Sequence, residues 1–362
     1  MNRIPRIYEN IEDDLNFILI HNGTEPMLDL SFFYATGLYN GLFEGAYLFM
    51  YPDGRGEIIT SILEEESASR ASMPVSVFST GQEREEMLKS RMKGAERIGI
   101  NASGLTVSAL NSIKKLNPDA EYIDIGKAID KARMIKDSEE LAAIRKAAEI
   151  ASEVGDLIRD FVKPGMREYE VAAEIVYQMQ KRGATGPAFE TIASAGPNTA
   201  EPHYTSGTRT IQEGDFFLYD YGARYRKYNS DTTRTIVIGR AIEEQKRMYE
   251  VVLDAQLSAI DAIHAGVNAK DIHNIAAEII DNSPYKGRFI HSLGHGLGLA
   301  THDSVGFSPA NDMIVEKNMV ITVEPGVYVP GFGGVRIEDD IVVTADGCEV
   351  LTSSKKDFFE VL

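Results

Sequence analysis

Two stretches of this chain put acids where a β-hairpin wants hydrocarbon. Residues 216–238 open Phe-Phe-Leu-Tyr-Asp-Tyr-Gly and close Asn-Ser-Asp-Thr-Thr-Arg-Thr-Ile-Val-Ile around a polar middle. Residues 320–343 open Val-Ile-Thr-Val-Glu-Pro-Gly-Val-Tyr and close Val-Arg-Ile-Glu-Asp-Asp-Ile-Val-Val around Val-Pro-Gly-Phe-Gly-Gly. β-Rich flanks around turn residues read as hairpins. With the first turn centred between Tyr225 and Arg226, Asp220 falls opposite Asp231. With the second centred on Gly331, Glu324 faces Glu338. Opposed side chains have Cβ atoms roughly 4.5–5.5 Å apart. Acids there repel each other and disfavour the strand, so one is protonated or a cation lies between them. One such pair is a coincidence; two in one chain predict a cation site.

A nitrogen ligand is at hand. Residues 291–303 read His-Ser-Leu-Gly-His-Gly-Leu-Gly-Leu-Ala-Thr-His-Asp, with glycines on both sides of His295 that allow close approach of other chain segments. Four carboxylates and one imidazole suit two divalent ions such as Mn²⁺, Co²⁺, Zn²⁺ or Fe²⁺. Ca²⁺ or Mg²⁺ alone would not need the histidine.

The chain's 362 residues exceed what one core usually holds, roughly 250–300, so two domains are expected. Residues 1–128 read as a small α/β domain. Phe17–Ile20, Ala46–Tyr51 and Ile98–Ile100 are strand-like, and Gln82–Lys93 and Val107–Lys115 are helical. Residues 129–362 have another texture. Asp137-Ser-Glu-Glu140 is a capping box, followed by an apolar face at Leu141, Ile144, Ala147, Ala151, Val154, Leu157 and Phe161. That helix stops at Lys163-Pro-Gly165, and a second runs from Glu168 to Arg182. About a hundred residues on, helices at Glu243–His264 and Lys270–Asp281 repeat the layout, so the second domain reads as two helix–helix–sheet halves. The fold class is α+β.

A net charge of −18 excludes nucleic acid or an anionic membrane as main partner. No apolar run nears the ~20 residues that span a bilayer. The start, MNRIPRIYENIEDD, lacks a secretory layout. The single cysteine, Cys348, rules out an intramolecular disulfide or a multi-cysteine zinc site. A cytoplasmic protein is expected. His21 and the helical His264 and His273 read as structural, and Ser230 and Thr232 as local partners of the backbone.

At the acid and histidine segments the chain resembles the pita-bread metallopeptidases: Xaa-Pro dipeptidase (prolidase), Xaa-Pro aminopeptidase and, more distantly, methionine aminopeptidase. The likeness runs from about Lys136 to Leu351. It includes Pro-Gly-Met-Arg-Glu, Gly196-Pro-Asn, Pro202-His203, Asp220-Tyr-Gly, Ser230-Asp-Thr-Thr-Arg-Thr, Gly294-His-Gly, Glu324-Pro-Gly and Arg336-Ile-Glu-Asp. Tyr34-Ala-Thr-Gly37 and Ile98-Gly-Ile-Asn resemble the creatinase/prolidase N-terminal domain.

The resemblance implies a pseudo-two-fold pita-bread α/β catalytic domain behind that N-terminal domain. It implies that Asp220 binds one metal, His295 and Glu324 the other, and that Asp231 and Glu338 bridge both. A water or hydroxide between the metals is then the nucleophile, and Glu324 relays its proton. His203 and His302 match histidines on the substrate carbonyl and tetrahedral intermediate, His291 a substrate histidine, and Arg336 an arginine that orients carboxylates. The implied substrate is a proline-containing dipeptide or short peptide, and the implied assembly a homodimer. Alternatives are an Xaa-Pro aminopeptidase on longer peptides, a methionine-type aminopeptidase, or a non-catalytic binding protein of this fold. Four departures stand out: Lys227 and Asn318 where relatives carry Gly, Thr301 where they carry Val, and Asp303-Ser-Val after His302 in place of Glu then Pro.

Overall fold

The computed structural model describes residues 2–303 and 306–362; Ser304 and Val305, part of the departure after His302, lie outside them. The chain divides into two compact units, Met1–Arg133 and Met134–Leu362.

In the first unit, β1 (Phe17–His21), β2 (Tyr47–Met50), β3 (Gly56–Ser61), β4 (Val75–Phe78), β5 (Arg97–Ile100) and β6 (Glu121–Asp124) form one mixed sheet ordered β4-β3-β2-β1-β5-β6. Central β1 reads as a continuous apolar run because it is buried on both faces. Helices α1 (Gly81–Met92) and α2 (Val107–Leu116) begin at Thr80 and Thr106, whose hydroxyls accept backbone N–H groups of the first turn. His21 packs its ring 4.7 Å from that of Tyr47.

The second unit opens with α3 (Ser138–Phe161). Asp137 Oδ1 accepts from the N–H groups of Glu139 and Glu140 at 2.9 Å, and Asp137 N donates to Glu140 Oε2 at 3.0 Å, so the capping box forms. The predicted apolar face buries Leu141, Ile144, Ala147, Ala151 and Val154. Helix α4 (Glu168–Lys181) ends before Gly183, whose φ of +97° is a left-handed stop. The layout repeats in α5 (Glu243–Asp261) and α6 (Ala269–Asp281). Helix α5 ends three residues before His264, which is therefore off the helix. Each half has its own core. Ile150, Val154, Val171 and Ile175 pack with Phe217, Tyr219 and Ile236; Val252, Ala259, Ile272 and Ala276 pack with Ile321, Val323 and Ile341.

The first half holds β7 (Ile192–Ala195), β8 (Phe216–Tyr221) and β11 (Thr232–Ile238) in one sheet, and the hairpin tip, β9 (Ala223–Tyr225) and β10 (Tyr228–Asn229), in a small separate one. The second half holds β12 (Val320–Val323), β13 (Gly326–Val329), β14 (Gly333–Arg336), β15 (Asp339–Val343) and β16 (Cys348–Val350). The C-terminal β17 (Glu360–Val361) pairs in parallel with β11.

The first register corrects the expected pairing. Tyr225 pairs with Tyr228 and Asp220 with Thr233, so the turn is Arg226-Lys227 and Asp220 is not opposite Asp231. Both turn residues have positive φ, 49° and 68°, as a two-residue I′ turn requires. The slip is two residues, so both acids keep the same face and are diagonal neighbours. The second hairpin has the expected register: Val323 pairs with Asp339 and Gly326 with Arg336, which sets Glu324 against Glu338.

Candidate metal centre

The acids converge because each hairpin breaks its ladder beside them. Glu338 N donates to Thr233 O at 3.1 Å, so at this point the strand leaves its own hairpin and joins β11. Glu324 follows β12 directly, and its N–H donates to Leu293 O at 2.8 Å. Thr322 N donates to His295 O at 2.9 Å, which lays the histidine segment along β12. Gly294 makes that contact possible, since a Cβ there would lie 1.8 Å from Thr322 O.

Ligand atoms of Asp231, His295 and Glu338 lie within 4.8 Å of one another. His295 Nε2 is 3.6 Å from Asp231 Oδ2 and 3.5 Å from Glu324 Oε1. Its Nδ1 meets Gly296 O at 3.1 Å, so Nδ1 carries the hydrogen and the Nε2 lone pair faces the acids. Burial holds the His295 imidazole neutral, its pKa down at about 4. Burial and neighbouring carboxylates push Asp231 and Glu338 well above the carboxylate range. Burial likewise pushes Glu324 up to about 8, against the pull of Arg336. Asp220 Oδ1 is buried without a hydrogen-bond partner. Repelling acids, a neutral imidazole lone pair aimed at them and an orphaned carboxylate oxygen are what a divalent cation would satisfy, so these residues fit the metal site.

Arg336 Nη2 donates to Asp220 Oδ2 at 2.5 Å, its Nη1 to Tyr328 Oη at 3.0 Å and its Nε to Thr233 Oγ1 at 3.1 Å. Thr233 Oγ1 donates to Glu338 Oε2 at 2.6 Å. Tyr328 Oη also meets His291 Nε2 at 2.9 Å. The carboxylates are thus held from behind by one hydrogen-bonded row. Tyr328 and Thr233 were not singled out from the sequence. Strand parity was the available signal, because Tyr328 lies four residues after Glu324 and Thr233 two after Asp231.

All the expected site residues line one cavity of about 800 Å³, together with Phe189, Ile192, Pro202 and Met313. His203 and His302 are exposed on its wall, and the His302 ring centroid is 4.3 Å from that of His295. His273 is elsewhere: its Nδ1 accepts Leu293 N–H at 3.2 Å, holding the histidine segment from the helix side. His264 is exposed, and its Nδ1 meets Ala265 O at 2.9 Å. Ser230 Oγ accepts Ala223 N–H and Thr232 Oγ1 donates to Glu338 O, both backbone roles as expected.

Two like halves sharing a carboxylate-and-histidine centre define a metal-dependent hydrolase. Metallopeptidase family M24 matches residues 142–345, and the creatinase/prolidase N-terminal domain matches residues 3–135. The Xaa-Pro dipeptidase of Pyrococcus furiosus is 38% identical over 86% of this chain and 88% of its own. The solved Xaa-Pro dipeptidase from Bacillus anthracis superposes with a TM-score of 0.91 at 33% identity, covering 99% of each chain. The X-Pro aminopeptidase from Thermotoga maritima superposes with a TM-score of 0.90 at 31% identity, covering 96% of this chain and 98% of its own. The chain belongs to metallopeptidase family M24 and is a metal-dependent peptidase with a creatinase/prolidase-type first domain.

Proposed function

We propose that Asp220, Asp231, His295, Glu324 and Glu338 hold two divalent ions and that the chain hydrolyses the peptide bond before proline in dipeptides. The convergence of Asp231, His295 and Glu338 beside the partnerless Asp220 Oδ1 carries this reading. Asp220 would serve one ion, His295 and Glu324 the other, and Asp231 and Glu338 would be shared. When bound, two such ions acidify a water and polarise the scissile carbonyl.

Glu324 lies at the edge of the acid cluster. Its carboxylate takes the water's proton and passes it to the leaving nitrogen. His203 and His302, exposed on the cavity wall, steady the substrate carbonyl oxygen as it gains charge. His291, oriented through Nε2 by Tyr328, lines the cavity where the peptide would sit. Arg336 holds Asp220 in place. The apolar wall of Phe189, Ile192, Pro202 and Met313 suits a proline ring.

A second reading is an aminopeptidase on longer Xaa-Pro peptides; a cavity of about 800 Å³ has room for more than a dipeptide. The test is hydrolysis of Met-Pro, Ala-Pro, Ala-Pro-Ala and Met-Ala-Ser after chelation and re-addition of Mn²⁺, Co²⁺ or Zn²⁺. Cleavage of the dipeptides alone is expected. Cleavage of Ala-Pro-Ala as well moves the assignment to the second reading, and cleavage of Met-Ala-Ser alone moves it to the methionine type. No cleavage with any metal overturns the peptidase assignment in favour of a binding role.

The same reading places the protein in the cytoplasm as a homodimer. No described helix is long and apolar enough to cross a membrane. A monomer mass by light scattering at micromolar concentration would remove the dimer.

A further inference from the structure

Behind the acid cluster lies a second buried charge set that the hydrolytic reading leaves unused. Arg234 is 1% exposed and Asp339 fully buried. Arg234 Nη2 donates to Asp339 Oδ1 at 2.7 Å. Lys356 Nζ donates to Asp339 Oδ2 at 2.5 Å, and Gln256 Nε2 donates to the same oxygen at 2.8 Å. Thr352 Oγ1 donates to Asp339 Oδ1 at 2.9 Å. The rest of the guanidinium goes to main-chain carbonyls: Nη1 to Glu338 O at 2.5 Å and Thr233 O at 2.9 Å, and Nη2 to Ser354 O at 2.8 Å.

Two cations therefore serve one carboxylate. Lys356 and Arg234 share the Asp339 carboxylate, and Arg234 Nη1 clamps the carbonyls of Glu338 and Thr233 at the point where Glu338 crosses onto β11. Without Lys356, Asp339 would keep one cation of its two, and the guanidinium would shift towards it and loosen its hold on Glu338 O. Lys356 belongs to a C-terminal tail fixed at several other points. Ser353 N donates to Ser152 Oγ at 2.8 Å, Lys355 N donates to Asp156 Oδ1 at 2.9 Å, and Arg159 holds Asp357 through two bonds of 2.8 Å. This tail lies beyond the family-matched residues 142–345.

We propose that the C-terminal tail is a working part of the metal centre, with Lys356 a positioning residue that fixes the main chain of Glu338 through Asp339 and Arg234. The inference rests on Glu338 being a metal ligand, so Glu338→Gln is the control. Metal-free Lys356→Met, Lys356→Arg and Glu338→Gln are titrated with Mn²⁺ by calorimetry, and their kcat and KM are measured. Lys356→Met is expected to bind Mn²⁺ roughly 10–100-fold more weakly and to lose kcat with KM within about twofold, as loss of a group that orients a ligand does. Lys356→Arg is expected to recover most of both. If Lys356→Met yields no folded protein, Lys356→Gln, which removes the charge and keeps a hydrogen-bond donor, is read the same way. Mn²⁺ affinity and kcat within about twofold of the parent, with only a lower melting temperature, overturn the inference and leave the tail purely structural. Unchanged Mn²⁺ binding in Glu338→Gln overturns the ligand assignment itself.

Discussion

Asp231 and Glu338 are the most deeply buried of the four proposed ligand acids, at 4% and 2% exposure, and each is proposed to touch both ions. Asp231→Asn and Glu338→Gln should therefore lower kcat/KM by at least roughly 10³-fold, equivalent to about 4 kcal/mol of transition-state stabilisation. His264→Ala should stay within about twofold, as for a surface change away from any site. Near-parental rates for Asp231→Asn at saturating metal would remove it from the centre. Protons and metal compete for the same oxygens. In the metal-free protein Glu324 is pushed from 4.5 up to about 8, so between about pH 7 and 8 the folded chain holds more protons than the unfolded one. Stability then falls as pH rises through that window. His291 and His295, held down at about 4 from 6.5, act in the opposite direction only below about pH 6.5. The melting temperature in chelator should drop from pH 7 to 8, and saturating Mn²⁺ should abolish the drop. A flat profile in chelator would mean that the acids are solvated or paired in some other way.

The two hairpins show how far an element can be read from its residues. Val-Pro-Gly-Phe-Gly-Gly marks its own turn, with Gly331 at φ +81°, and the register of Glu324 against Glu338 follows from it. Arg226-Lys227 carries no glycine, so nothing in the residues marks the turn, and the pairing of Asp220 with Asp231 was set two residues off. The slip was even, so the face was still right, and the face is what brings acids together. The departures at Lys227 and Asn318 fall at φ +68° and +69°, where glycine has no Cβ to crowd the carbonyl. Lys227→Gly should relieve part of a left-handed strain of about 1–2 kcal/mol, offset by added freedom in the unfolded chain, for a net gain of up to about 1 kcal/mol. A lower melting temperature for this variant would show that the lysine side chain contributes more than its backbone strain removes. Arg336's grip on Asp220 and the row through Tyr328 and His291 depend on how the two halves meet, which no local pattern encodes.

Over the whole molecule, the repeated helix–helix–sheet layout was legible because caps and apolar periodicity are local, and each half then builds its own core. The C-terminal tail was not legible, since Lys356 and Asp357 resemble any solvated charge run until their partners, Asp339 and Arg159, are seen. Asp220 and Asp231 come from one half, and His295, Glu324 and Glu338 from the other. An ion bound among them would be a further rivet between two halves that already meet along β11. Its contribution grows as RT ln(1 + [L]/Kd), about 2.7 kcal/mol at a hundred times Kd. The lifetime of this chain against cellular proteases would therefore follow the supply of divalent ions. Metal starvation would then shorten the protein's lifetime as well as end its activity.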